Sequence, residues 1–429
     1  MNQSTMWVRR CMCVAVCLVA VGLSGCKIGS SDSDTPAQEE VEFVPAADDF
    51  HPAFVLATDD APVLSSSFRQ TISLQASAST ASSSGWTPQQ FLDAYNVNSV
   101  VTPDNKPRGY GIKIAIITAY HYPNLQADLN TWARKFSQTP INLNIINQAG
   151  NRMNSNWAIQ SNLAVQMVNA VSPGATVYVI EAKSVSVVDI RTAVQTAANL
   201  GMNIISMPFG AAEFSTENSM ANLFTNAQIA WITASGTGAA PTFPATSPDV
   251  VAVGGTSASL SASSVLSETA VASSAAGMSI YQRMPSYQMI PAVQNVNTTA
   301  YRSVPDVAFN ADPIYGAQVY VSSIGGWFVV GGNAVSTAFF TGVVAIADHF
   351  RKTAKKPMLT TSHTASKPLQ RSLYGLMSTN GGPTNSTVLN DVVDGYAGEG
   401  SYPAGPGYDI ATGLGSLDVN QFVNYMYNQ

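Results

Sequence analysis

From Trp86 onward, short apolar runs alternate with longer stretches whose apolar residues recur at helical spacing. Residues 112–118 (IKIAIIT), 176–181 (TVYVIE), 203–207, 229–234 and 250–254 are nearly continuous apolar runs. Such runs mark strands buried on both faces of a parallel sheet. Between them, residues 127–136, 157–171, 188–200 and 219–228 carry the helical period. This alternation predicts an α/β fold: a doubly wound, mainly parallel sheet with helices on both faces and right-handed crossovers. Residues 318–330 break the pattern, since QVYVS and WFVV flank Ile324-Gly325-Gly326 and predict a hairpin. An apolar helix over 335–350 follows directly.

The chain before Trp86 has a different texture. Arg9 and Arg10 precede an apolar run over residues 11–23. That run is shorter than the roughly 20 residues a membrane-spanning helix needs, and it fits the core of an export signal. It ends in Leu23-Ser24-Gly25-Cys26, which resembles a bacterial lipobox. Residues 1–25 are therefore expected to be a lipoprotein signal peptide, with Cys26 as the acylated first residue of the mature chain. Lys27 rather than Asp follows, which favours the outer membrane. Residues 26–50 are acidic and polar, with too little apolar content to pack, and are expected to be a tether. Residues 51–85 hold one strand-like piece, 68–75, and a Ser/Ala-rich linker, 76–85. A single domain is expected over 86–429.

Composition narrows the function classes. The chain has 429 residues, 46% hydrophobic and 11% charged, with net charge −6. The length is ample for a large core. Mean hydropathy near zero rules out a polytopic membrane protein. The mild acidity argues against nucleic acid as a partner, because a basic face would be needed. All four cysteines, Cys11, Cys13, Cys17 and Cys26, fall in the first 26 residues, so the folded part has neither disulfides nor Cys-ligated metal.

Seven segments in register carry a resemblance. They are WTPQQFLDAY (86–95), AIITAYHYPNLQADLNTW (115–132), AVSPGA (170–175), FPATSPDVVAVGGTS (243–257), RSVPDVAFNADP (302–313), GGNAVSTAFFTG (331–342) and AGPGYDIATGLGS (404–416). Together they resemble the sedolisins, or serine-carboxyl peptidases, which have a subtilisin-like fold. The resemblance implies serine-type endopeptidase chemistry. A Ser nucleophile opens a helix after Gly-Gly-Thr. A Glu and an Asp four residues apart share proton work from one helix face. A further Asp, kept protonated, donates to the oxyanion.

Each of those positions is changed. The nucleophile position is Ala334, with Asn333 in place of the Thr and Ala338 in place of a Pro. A methyl group has no lone pair and forms no acyl-enzyme. Ser336 lies two residues on, roughly 200° around the helix, and is expected to face elsewhere. The Glu position is Gln160 and the Asp position Ala164, in WAIQSNLA (157–164). Gln cannot shuttle a proton. The oxyanion Asp is Thr237, whose hydroxyl still donates. Pro208, on the segment ISMPFG (205–210) that should pair with substrate backbone, lacks an N–H. No subtilisin-type triad replaces the lost groups: the strand at 112–118 ends in Thr118, and the helix at 157–171 has no His. His51, His121, His349 and His363 lack metal-ligand spacing and are expected to be solvated or hydrogen-bonded.

One family site survives by resemblance, a calcium site. It carries over to the Asp391 and Asp409 carboxylates and the Val392, Gly405 and Gly407 carbonyls. A water would bring the shell to about six oxygens, normal for this hard cation. The expectation is a lipid-anchored, calcium-stabilised pseudo-peptidase of the cell envelope, binding a peptide or envelope protein in the former substrate cleft. It would meet the membrane only through the anchor. The alternatives are an endopeptidase with a relocated catalytic group, or a different enzyme on the same scaffold.

Overall fold

A computed structural model of the chain describes residues 49–56, 85–261, 264–377, 382 and 387–429, all within the unit Pro45–Gln429. The expected leader, Cys26, most of the tether and the strand-like piece 68–75 lie outside the described residues.

The central sheet is built from the apolar runs. Strands β3 (Lys113–Ala119), β4 (Asn142–Asn147), β5 (Thr176–Ala182), β6 (Ile204–Met207), β8 (Ala230–Ala234) and β9 (Val251–Ser261) are parallel neighbours in the order β9-β8-β6-β3-β5-β4. The antiparallel β10 (Ser264–Ala270) closes one edge, and β13 (Val307–Asn310) also pairs parallel with β9. Alternate residues of one strand enter different cores, because successive side chains point to opposite faces. Ile114 and Ile116 pack with α3 (Ser155–Val171) and α7 (Asn333–Thr353). Ala115 and Ile117 pack with α4 (Val187–Asn199) on the other face. This is the doubly wound α/β sheet the periodicity predicts.

From β3 the chain first winds to one side, through β4 and β5, and then to the other, through β6 and β8. The reversal between β5 and β6 makes a crevice beyond the carboxyl ends of these strands, the usual ligand position in such sheets.

Helix α7 is the spine of the larger core. It is buried along almost its whole length, as its nearly all-round apolar character requires. It crosses α3 closely at Gly342, where an added Cβ would lie 2.6 Å from Val171 Cβ. The hairpin forms as expected, β14 (Ala317–Val321) against β15 (Gly326–Gly331). Gly325 and Gly326 turn it at φ 110° and 106°, which side chains resist.

Four elements depart from the sequence reading. The strand β4 (NLNIIN) was not anticipated; it lies at the sheet edge, where one face meets water and the apolar run is diluted. The helix expected over 219–228 breaks into a one-turn helix, Asn218–Ala221, and a 3₁₀ turn, Asn222–Thr225. Asn and Thr are weak helix formers, and neither piece has a side-chain cap. The run 250–254 extends into a long strand that folds back as β10. The tether expected to reach residue 50 does not: Phe50 is fully buried, and β1 (His51–Pro52) and β2 (Val55–Leu56) belong to the domain. Seven consecutive residues, FHPAFVL, carry enough apolar surface to pack despite the acidic stretch before them.

Candidate functional site

The carboxyl ends of the sheet strands, the first turns of α3 and the start of α7 converge at one place. β15 ends at Gly331, and Gly332 precedes α7 at φ 84°. Asn333 and Ala334 open the helix, both buried. The Asn333 amide faces Ser235 Oγ at 2.7 Å, the Gly236 carbonyl at 2.6 Å and Ser274 Oγ at 3.1 Å. It therefore ties the helix start to the turn after β8 that carries Thr237. Thr237 is half-buried and forms an isolated bridge with Ser274. From sequence Asn333 is only a replacement; its bonds to residues 59 to 98 positions away along the chain become visible only in the fold.

On α3, Gln160 and Ala164 are both fully buried one turn apart. Neither atom of the Gln160 amide has a hydrogen-bond partner among the described residues. Ser336 donates its hydroxyl to the Asn333 carbonyl at 3.0 Å, a bond within its own helix. None of Gln160, Ala164, Thr237 and Ala334 is ionisable, so this frame has no acid–base group of its own at these positions.

Residues 49–56 cross the site in extended conformation. The Phe50 N–H donates to the Val185 carbonyl at 3.0 Å. The Phe50 ring stands edge-on to Phe209, with centroids 5.4 Å apart. β1 pairs antiparallel with β7 (Phe209–Gly210), placing His51 opposite Gly210 and Pro52 opposite Phe209. The Ala53 N–H donates to the Pro208 carbonyl at 3.3 Å. Pro208, a poor residue for a pairing edge, thus serves through its carbonyl and forfeits only the bond its missing N–H would make. The Ala53 carbonyl accepts from the Ala334 N–H at 2.7 Å. β2 then pairs with β15, Val55 opposite Gly331 and Leu56 opposite Val330. Gly332 must be glycine here: a Cβ would sit 2.7 Å from the Ala53 carbonyl oxygen and from Phe54 Cα.

The loop over 389–415 brings the remaining expected residues together. The Gly407 N–H donates to Asp391 Oδ2 at 2.8 Å and the Gly405 N–H to Asp409 Oδ2 at 3.0 Å. Thr412 donates from its N–H to Asp409 Oδ1 at 2.8 Å. Burial, opposed by these bonds and assisted by the nearby Asp391 charge, pushes Asp409 up to about 6. Burial likewise raises Asp391. Two carboxylates that repel one another beside glycine-rich backbone are a donor set suited to a hard cation. Val392 is buried next to them. No group of three or more His, Cys, Asp or Glu among the described residues is placed to hold a metal.

Three of the described histidines are paired with single carboxylates. His121 Nδ1 lies 2.6 Å from Glu181, His349 Nε2 3.1 Å from Asp104 and His363 Nδ1 2.7 Å from Asp249. His51 is on β1, its charged form disfavoured by burial.

A curated relative, xanthomonalisin of Xanthomonas sp. (strain T-22), is 31% identical over 133 residues. The match spans 30% of this chain and 14% of xanthomonalisin. Among solved structures, Pseudomonas sedolisin, a serine-carboxyl proteinase complexed with two molecules of pseudo-iodotyrostatin, superposes with a TM-score of 0.67 at 23% identity. That superposition covers 82% of this chain and 99% of the other. A lanthipeptide protease gives a TM-score of 0.48 at 12% identity, over 79% of this chain and 93% of that one. No family model matches the chain. The superposition on nearly all of sedolisin establishes the subtilisin-like α/β fold, and with the xanthomonalisin match it bears out the resemblance carried by the motifs.

Proposed function

We propose that this chain, a sedolisin-like protein in fold and motifs, is a pseudo-peptidase that binds extended peptide and does not cut it. One observation carries the reading: the frame for catalysis is complete while its reacting atoms are absent. The helix that should present the nucleophile begins in place with Ala334. The helix that should carry the proton pair is capped and buried with Gln160 and Ala164. The oxyanion turn has Thr237. Loss of the nucleophile alone costs a triad enzyme about 10⁶-fold in kcat. Without the carboxylate pair there is also no group to accept and return the proton.

The protein is further proposed to be calcium-stabilised and lipid-anchored. Asp391 and Asp409, with the Val392, Gly405 and Gly407 carbonyls, would hold the ion. Calcium would neutralise the two carboxylates and so favour the folded loop. Cys26 would carry the lipid and keep the domain at the bacterial envelope, with the outer membrane favoured. Among the described residues no helix is long and apolar enough to cross a membrane. The partner class is a peptide or an envelope protein presenting an extended segment.

The test is hydrolysis of casein and of peptide libraries by purified protein from about pH 3 to 8, the range in which carboxylate pairs and serine nucleophiles work. No turnover above a boiled control is expected. Reproducible turnover blocked by a transition-state aldehyde would overturn the reading.

A further inference from the structure

We infer that β4 is a self-association edge: two copies of this chain pair through it, antiparallel about a two-fold axis at Ile145, and so join their central sheets into one. The inference goes beyond the pseudo-peptidase reading and does not depend on it.

The two edges of the central sheet are built differently. A strand edge offers a row of main-chain donors and acceptors to any other strand, and edges that stay solitary are blunted by bulges, inward charges or a covering loop. β10 has all three. A bulge lies between Val265 and Ser267. The Glu268 carboxylate turns inward and accepts from Tyr95, Thr256 and Ser416. The Ala270 N–H is taken by the Asp394 carbonyl at 2.8 Å. β4 has none of these. Its register with β5 runs unbroken from Asn142 opposite Thr176 to Asn147 opposite Glu181. Residues 136–151 contain no Asp, Glu, Lys, Arg or His. Among the described residues no strand pairs with its outer side.

The main chain shows which groups that side offers. The Gln148 N–H donates to the Glu181 carbonyl at 2.9 Å, toward β5. Main-chain groups alternate sides along a strand, so the N–H and C=O of Leu143, Ile145 and Asn147 point away from β5. The ladder begins at Leu143, because Asn169 Oδ1 accepts the Ile141 N–H at 2.7 Å.

Charge selects a second copy as the occupant. A two-fold axis sets each residue near its own likeness, so a charge at the centre of such a contact repels itself. The uncharged run around Ile145 is free of that penalty. With the axis at Ile145, each Ile145 opposes the other and each Leu143 opposes an Asn147. About six main-chain hydrogen bonds then form. Ile145 is 37% exposed, and pairing covers it with a second β-branched side chain. Because the pairing is antiparallel, the carboxyl ends of the two sheets point in opposite directions. The two crevices therefore open to opposite sides of the dimer, which can grip two separate peptides.

The test uses the full chain with Cys11, Cys13, Cys17 and Cys26 replaced by Ser. The contact is one strand wide, below a standard interface, so a reversible dimer with a Kd on the order of 10 μM is expected. Sedimentation at about 100 μM, well above that Kd, should give twice the chain mass. Ile145→Lys sets like charges opposite one another and should weaken the dimer about tenfold or more, at an unchanged melting temperature. Amide hydrogen exchange at Leu143, Ile145 and Asn147 should be slow in the parent and fast in Ile145→Lys. On mild oxidation Ile145→Cys should give a disulfide-linked dimer, since the two residues at the axis lie about 5.5 Å apart. Asn142→Cys should not, because its counterpart lies about 20 Å away along the strands. A monomeric parent, association that survives Ile145→Lys, or equal linking at 142 and 145 would overturn the inference. Slow exchange at these amides in a monomer would overturn it too, and would mean that another part of this chain covers β4.

Discussion

Gln160 holds a buried amide that has no partner among the described residues. A buried polar group left unsatisfied costs about 1–3 kcal/mol, and replacing it by an apolar group of similar size removes that cost. Gln160→Leu is therefore predicted to raise stability by about 1 kcal/mol. A higher urea midpoint at unchanged slope would show it; a lower midpoint would mean the amide is satisfied in solution. Asp348 makes a second prediction. It is fully buried on α7, with one oxygen accepting from the Leu359 N–H at 2.7 Å and the other unpartnered among the described residues. Burial pushes it up to about 7. The native state thus holds a proton that the unfolded chain releases near pH 4. The stability from this group is complete below about pH 4 and is lost as pH rises to about 7, at up to about 1.4 kcal/mol per pH unit. Asp348→Asn should flatten the fall in melting temperature across that range; an unchanged profile would contradict it. The positions taken as replaced are read by resemblance to the family's motifs. Their partners are not, because Ser235 and Ser274 reach Asn333 only through the fold.

At the scale of elements, the apolar strands β3, β5, β6 and β8 and the helices α3, α4 and α7 follow from periodicity, since both faces of the sheet are covered and the runs are undiluted. The exceptions had weaker signals. β4 mixes Asn with Leu and Ile at an edge, and residues 49–56 form an apolar island in a stretch whose average is acidic. A window long enough to detect the acidity hides the island. The residues of the proposed calcium loop are read by resemblance, and the fold brings Asp391 to the Gly407 N–H and Asp409 to the Gly405 N–H. An ion bound only by the native state at a hundred times its Kd stabilises it by about 2.7 kcal/mol. A chelator is accordingly predicted to lower the melting temperature by several degrees, with restoration by calcium. The double variant Asp391→Asn, Asp409→Asn should abolish that response. A midpoint indifferent to both chelator and calcium would refute the site. The loop also stacks on the segment that carries the buried Arg302–Asp306 pair, 2.7 Å apart, through the Leu414 N–H on the Asp306 carbonyl. Loosening it should therefore be felt in the core.

For the whole molecule, topology would let binding and catalysis separate, as the proposed pseudo-peptidase requires. The crevice at the strand reversal is made by backbone: β7, β15 and the start of α7. Substitution of side chains leaves that surface intact. A chain can therefore lose Ser, Glu and Asp at the reacting positions and still grip an extended peptide. Cys26→Ser is predicted to move the protein from the membrane fraction to the soluble fraction of a bacterial host, and unchanged fractionation would refute the anchor. Mass spectrometry of wild-type protein incubated with casein across about pH 3 to 8, where a working carboxylate pair would act, is the decisive measurement of whether this chain cleaves peptide. The account predicts intact casein and an uncut Ala53–Phe54 bond at every pH. New casein fragments, or a chain beginning at Phe54, suppressed by an aldehyde inhibitor, would contradict it.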